Sequence, residues 1–295
     1  MKLNHIYVII LLMWGLFSSC ISEDYSHCYN KYVIDLSYVG DGQTEIFQDK
    51  IDKVQMSIFD DAGNCIIRTM LSDKEVAGQR VMLPSLEEGD YRIVFLGNPH
   101  STSTKDISLR SSFSDLCFGA DAYWNGEEVS GNDPLYWASL EQTIAPFDNQ
   151  RQVTYSTAYF AASHYDVSVE VTGTPSALKI VLEGVSPYTD YNNIAATDAE
   201  TVYILNSVYD GADKVTAVSN IMRHKDHENV TLKVQSLDGT ELAVVNFAEF
   251  LSENSKYIDC SKQEVVIPFK IGFNSTDVEI TVPDWAITDV TPEFK

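Results

Sequence analysis

Positive charge is scarce in this chain. Twenty Lys and Arg stand against 43 Asp and Glu, a formal net charge of −23. An acidic excess of that size argues against nucleic acid or an anionic bilayer as a partner surface, since both repel it. It favours solubility in a crowded envelope and leaves cationic partners open. After residue 17 there is no long apolar run, so nothing downstream spans a bilayer as a helix. Cysteine is sparse, five in 295 residues, and no Cys-x-x-Cys occurs, which argues against a zinc site. Catalytic signatures are missing too. There is no Gly-x-Ser-x-Gly, no His-Glu-x-x-His, no phosphate-binding loop and no Gly-x-Gly-x-x-Gly after a strand. No catalytic residue, metal or cofactor is therefore expected, and the chain reads as non-enzymatic.

What is present begins with one short apolar run, Ile6 to Phe17, behind Lys2. It has the length of a signal-peptide core and is too short to cross a bilayer. Ser18 and Ser19 leave room for a peptidase before Cys20. A cysteine directly after such a bond reads as a lipoprotein site, with residues 1–19 as signal peptide and 20–30 as a lipidated tether. Phe17 departs from the usual Leu, Val or Ile three residues before the cysteine. An ordinary cleaved secretory signal is the alternative. Removal of 1–19 deletes only Lys2 among charged side chains, leaving 19 bases against 43 acids, or −24. Ser22-Glu23-Asp24 resembles the acidic export signal that sends lipoproteins of Bacteroidales-type bacteria to the outer face; a solvated linker is the plainer reading.

Strand signals fill the rest. Tyr32, Ile34, Leu36 and Tyr38 alternate with polar or smaller neighbours, which predicts a strand with one buried face. Val54, Met56 and Ile58 lead through Asp60-Asp61-Ala62-Gly63-Asn64 into Cys65–Arg68, a predicted hairpin. Further strands are expected at Val81–Leu83, Tyr91–Leu96, Gln152–Thr172, Leu178–Leu182, Val202–Leu205, Val230–Val234, Leu242–Val245, Val265–Ile271 and Val278–Val282. Pro268 suggests an edge position for its strand. Asn98 to Asp115, rich in Ser and Thr, reads as a surface loop. Phe247, Phe250 and Leu251 give the clearest helical signal. Many short strands with almost no helix predict an all-β protein of tandem β-sandwiches, 31–152 and 153–295.

Other candidates are weaker. Arg223-His224-Lys225-Asp226-His227-Glu228 groups metal-type ligands, but the flanking charges read as a solvated loop. Trp124 and Trp137, with nearby tyrosines, offer sugar-stacking surfaces for a glycan-binding lipoprotein; rim-of-core packing is the commoner role. Cys28, Cys65, Cys117 and Cys260 permit disulfides in an oxidising compartment or buried free thiols.

The ordered set of motifs resembles the FimB-type anchor lipoproteins of Bacteroidales fimbriae (FimB/Mfa-like subunits). It consists of Cys20 and Cys28, the stretch Phe47 to Gly63, Gly89-Asp90-Tyr91, Phe247 to Leu251, Tyr257-Ile258-Asp259 and Val278 to Trp285. Pro283-Asp284 stands where the family often has Asn-Gly. The resemblance implies two transthyretin-like Greek-key β-sandwiches and a place at the base of a fimbrium, held on the outer membrane by lipid. Related stalk subunits lose an N-terminal strand to an arginine-specific protease. This sequence has no arginine before Arg68, so its first strand is expected to stay in its own sheet. The expected partner is a fimbrial stalk subunit, joined by strand addition through Ile287, Thr288, Asp289, Val290, Thr291, Pro292 and Phe294. A tip or accessory fimbrial subunit is the other fimbrial reading.

Overall fold

The computed structural model describes residues 31–106, 112–146, 152–225, 227–274 and 277–287. The strands up to residue 162 are β1 (Lys31–Ser37), β2 (Val54–Phe59), β3 (Cys65–Met70), β4 (Arg80–Met82), β5 (Gly89–Gly97), β6 (Thr102–Asp106), β7 (Leu116–Ala120), β8 (Tyr136–Ile144), β9 (Val153–Tyr159) and β10 (Ala161–Ala162). Those after it are β11 (His164–Thr172), β12 (Lys179–Val185), β13 (Tyr188–Asp190), β14 (Thr201–Leu205), β15 (Ser207–Tyr209), β16 (Lys214–Met222), β17 (Thr231–Gln235), β18 (Glu241–Asn246), β19 (Val266–Phe273) and β20 (Val278–Thr281). Short helices punctuate them: α1 (Phe47–Lys50), α2 (Asp73–Ala77), α3 (Asp121–Asn125), α4 (Phe247–Glu253) and α5 (Asp284–Ile287). Among the described residues no helix is long and apolar enough to cross a membrane.

Two sandwiches result. In the first, sheet β4-β1-β9 packs on sheet β10-β8-β5-β2-β3. Ile34, Leu36, Val81 and Ala158 from one side meet Met56, Ile58, Ile93 and Phe95 from the other. In the second, β15-β16-β11-β19-β20 faces β14-β12-β17-β18. Val167, Val169, Ile267 and Phe269 pack there against Ile180, Leu182, Leu232 and Val234. The period-two burial of β1 and β11 is the physical basis of both, because alternate side chains leave water together. The expected hairpin forms, and β17 and β18 make a second, with Gly63 and Gly239 at positive φ in their turns.

A third sheet, β13-β7-β6, joins the two halves, since β13 follows β12 in sequence yet pairs with β7. Beneath it lies a separate core built around Tyr191, which is 2% exposed. Its ring meets Phe59 at 5.7 Å and Phe113 and Phe118 at 6.2 Å. Its hydroxyl lies 2.8 Å from that of Thr104.

Several expectations change. The strands place the border later than 152/153. β9 pairs in parallel with β1 over seven residues, and β10 pairs with β8, so the first sandwich runs to Ala162. The expected loop at 98–115 contains β6, held by β7 in a ladder the local sequence does not advertise. Pro268 is not on an edge strand, because β19 lies between β11 and β20. However, β20 covers only Lys270 to Phe273, so the missing N–H of Pro268 falls where no described strand pairs on that side. His224 and His227 are buried rather than solvated, their rings 4.4 Å apart. Among the described residues no three metal-type ligands converge, and Cys65 and Cys260 are free thiols.

Candidate functional site

Three features bear on function: the first strand, the contact between the sandwiches, and the surface around Ile287.

β1 begins at Lys31, eleven positions after Cys20. It is the middle strand of its sheet, antiparallel to β4 and parallel to β9. Backbone bonds continue past the strand ends: Lys31 N–H donates to Gln152 O at 2.9 Å and Phe160 N–H to Ser37 O at 2.8 Å. Tyr32, Ile34, Leu36 and Tyr38 are all buried. Withdrawing β1 would open the first core along its length.

β1 ends where the sandwiches meet. Glu264, just before β19, accepts hydrogen bonds from the hydroxyls of Tyr38 and Tyr136. Its other oxygen pairs with Lys50 Nζ at 2.5 Å. Asp41 completes the latch, accepting from the N–H of Gln263 at 2.9 Å and of Glu264 at 3.2 Å. Gln263 Oε1 accepts from Ala162 N–H at 2.9 Å. Gly40 permits this approach. Its φ is +57°, and a Cβ there would sit 3.6 Å from Glu264 Cγ and 3.3 Å from Ile46. Burial first, then the neighbouring Glu264, raises the Tyr38 phenol well above its ordinary range; burial and Glu264 also raise Tyr136. Both phenols therefore remain donors near neutrality. A raised pKa gives stability that is complete below about pH 10, where unfolded tyrosine ionises, and is lost as the pH climbs through the folded values. Glu264→Ala leaves a buried hydroxyl without its acceptor, a loss of about 1–3 kcal/mol. Thermal unfolding at neutral pH checks this; an unchanged midpoint would mean that the latch adds nothing to stability.

Trp124 and Trp137 are committed to packing. The Trp124 ring stacks on Tyr188 at 5.5 Å and its Nε1–H donates to Gly119 O at 3.1 Å. Trp137 donates to Tyr191 O at 3.1 Å.

Among the expected strand-donating residues, Ile287 is described. It closes α5, is 44% exposed and lies beside Val265 and Val266. Thr288, Asp289, Val290, Thr291, Pro292 and Phe294 lie outside the described residues, as do Cys20, Cys28, Ser22, Glu23 and Asp24. The structure thus brings together residues that no motif flagged, Asp41 and Glu264 above all. They are more than 220 positions apart, and nothing local marks either one.

Comparison with known proteins gives a consistent answer. Residues 25–291 match the family model for fimbrillin-A associated anchor proteins Mfa1 and Mfa2. The major fimbrium anchoring subunit FimB of Porphyromonas gingivalis is 28% identical over 145 residues, which is 46% of this chain and 48% of FimB. The chain thus spans about half the length of the curated relatives it matches. The structure of the fimbrial anchor protein Mfa2 from Porphyromonas gingivalis superposes with a TM-score of 0.66 at 14% identity, covering 86% of this chain and 98% of that one. A candidate adhesin from Bacteroides ovatus gives 0.68 at 12% identity, over 91% and 97%. These two structures share the tandem-sandwich fold. The family match over nearly the whole described region identifies the chain as a member of the Mfa1/Mfa2 group of fimbrillin-A associated anchor proteins.

Proposed function

We propose that this chain is the lipid-held base of a fimbria, without catalytic activity of its own. The central place of β1 carries the reading. A subunit whose first strand is paired on both sides keeps that strand, and with it a continuous covalent path back towards Cys20. Acyl chains on Cys20 hold the outer membrane, and Ser22-Glu23-Asp24 directs the protein to the cell surface. FimB and Mfa2 are both described as anchors, which supports the same role here. The first stalk subunit joins by strand addition, pairing with the segment that starts at Ile287 and runs to Phe294. Unpaired backbone N–H and C=O groups along an extended segment supply both affinity and register.

A chain lacking residues 287–295 is expected to remain in the membrane fraction while its cells release their filaments. Electron microscopy of the cells, with an immunoblot of the membrane fraction, reads both outcomes. Filaments that stay attached would rule out strand addition through this segment and leave the lipid anchor standing.

A further inference from the structure

The uncovered half of β19 borders a groove of about 640 Å³. One wall is the segment 255–262, with Lys256, Tyr257 and Lys262; the other is Ala286 and Ile287 at the end of α5. β20 stops short of Val266 to Phe269, so no described strand pairs with that stretch on this side. Apolar surface is exposed around it: Val266 at 39%, Ile287 at 44% and Trp285 at 58%. The groove's two carboxylates are already engaged. Glu264 is held by Lys50 and Tyr38, and Asp259 accepts from Ser261 N–H at 3.0 Å and its hydroxyl at 2.6 Å. The lysines are less committed. Lys256 Nζ lies over the Tyr257 ring at 4.4 Å, and neither ammonium forms an ion pair among the described residues. Asp259 is held below the ordinary carboxylate range first by Ser261 and then by nearby Lys262, so it partly answers that lysine, and Lys256 is the groove cation with no carboxylate beside it among the described ion pairs.

We propose that this groove is a docking site for an acidic extended segment, and that in the free protein its occupant is the chain's own residues 288–295. Two observations select that occupant. The first is reach. The segment leaves from Ile287, which itself lines the groove, and eight extended residues span up to about 26 Å. Closing so short a loop loses little entropy. The second is charge and pattern. Asp289 and Glu293 are opposite in charge to Lys256 and Lys262, while Val290 and Phe294 supply apolar surface for Val266 and Trp285. Pro292 has no N–H, which limits continuous pairing to the residues before it. Docking covers an edge that would otherwise attract foreign strands. This does not depend on whether the same segment later pairs with a fimbrial subunit.

The test compares the detergent-solubilised full chain with one ended after Ile287. Both are treated with an amine-acylating reagent and, separately, with deuterated buffer, and read by mass spectrometry. Truncation is expected to raise acylation of Lys256 and Lys262, and amide exchange at Val266, whose N–H faces away from β11, by about tenfold. A full-length chain carrying Asp289→Lys and Glu293→Lys should behave like the truncated one. A synthetic peptide of residues 288–295 should restore protection to the truncated chain. Equal labelling of full and truncated chains overturns the proposal. So does protection in the full chain that disappears on dilution, because the groove is then filled by a second copy.

Discussion

Cells carrying Cys20→Ser are expected to lose the protein, and any filament it holds, from the membrane to the medium. A serine hydroxyl cannot accept the thioether-linked diacylglycerol, and without that step the signal segment is not processed in the lipoprotein manner. The size of the effect follows from burial of methylenes, each worth about 0.8 kcal/mol. A single fatty chain binds a bilayer only reversibly, with a constant on the order of 10⁴ M⁻¹, whereas two or three together hold almost permanently. Among the described residues no helix is long and apolar enough to cross a membrane, and the chain's strong negative charge disfavours an anionic surface. Cell fractionation with electron microscopy of the filaments reads the result. Serine-variant cells whose filaments stay fastened and of normal length would remove the lipid from the account.

Tyr191→Ala should produce the largest stability loss among single changes in the described core. Its ring is the common neighbour of Phe59, Phe113 and Phe118, and its hydroxyl and carbonyl reach Thr104 and Trp137. Truncating a buried aromatic costs about 3–5 kcal/mol, through lost transfer energy and the cavity left behind. Domains are stable by only about 5–15 kcal/mol, so this is a large share. For a chain of this size each kcal/mol moves the midpoint by about 2–4 °C. Tyr191→Phe keeps the ring contacts and gives up one hydrogen bond, for about 1 kcal/mol. Calorimetry of both variants separates the two contributions. Equal midpoints for Ala and Phe would mean that the third core does not cement the halves.

Much of the fold could be read from the residues because it is local. Tyr32, Ile34, Leu36 and Tyr38 announce β1 by alternation, Gly63 announces its turn, and Phe247, Phe250 and Leu251 announce α4. What the residues conceal is long-range pairing. β9 belongs to the first sandwich because it runs beside β1, more than 100 positions earlier, and no property of Val153–Tyr159 names that partner. β6 is polar on both faces and is a strand only because β7 supplies a ladder. His224 and His227 sit among charges in sequence and among buried side chains in space. Of the proposed anchor, the motif around Cys20 stands as a reading of sequence alone, since it lies outside the described residues. The Asp41–Glu264 latch was not legible in sequence, because a carboxylate becomes a fastener only when another domain is brought up against it.

The direction of β1 has a mechanical consequence. In the anchor role proposed above, a tug on the filament, resisted at the membrane, would enter the folded chain at Lys31 and run along β1 towards Tyr38. The β1–β9 ladder spans seven residues and would then be loaded in shear, its bonds sharing the force instead of opening one at a time. At the far end Tyr38 is tied to Glu264, from which β19 leads on into the second sandwich. The tensile line thus crosses from one sheet to the next through a side-chain clasp. Resistance to such a pull is set by the barrier to breaking that ladder and clasp, and not by the equilibrium stability of the whole chain.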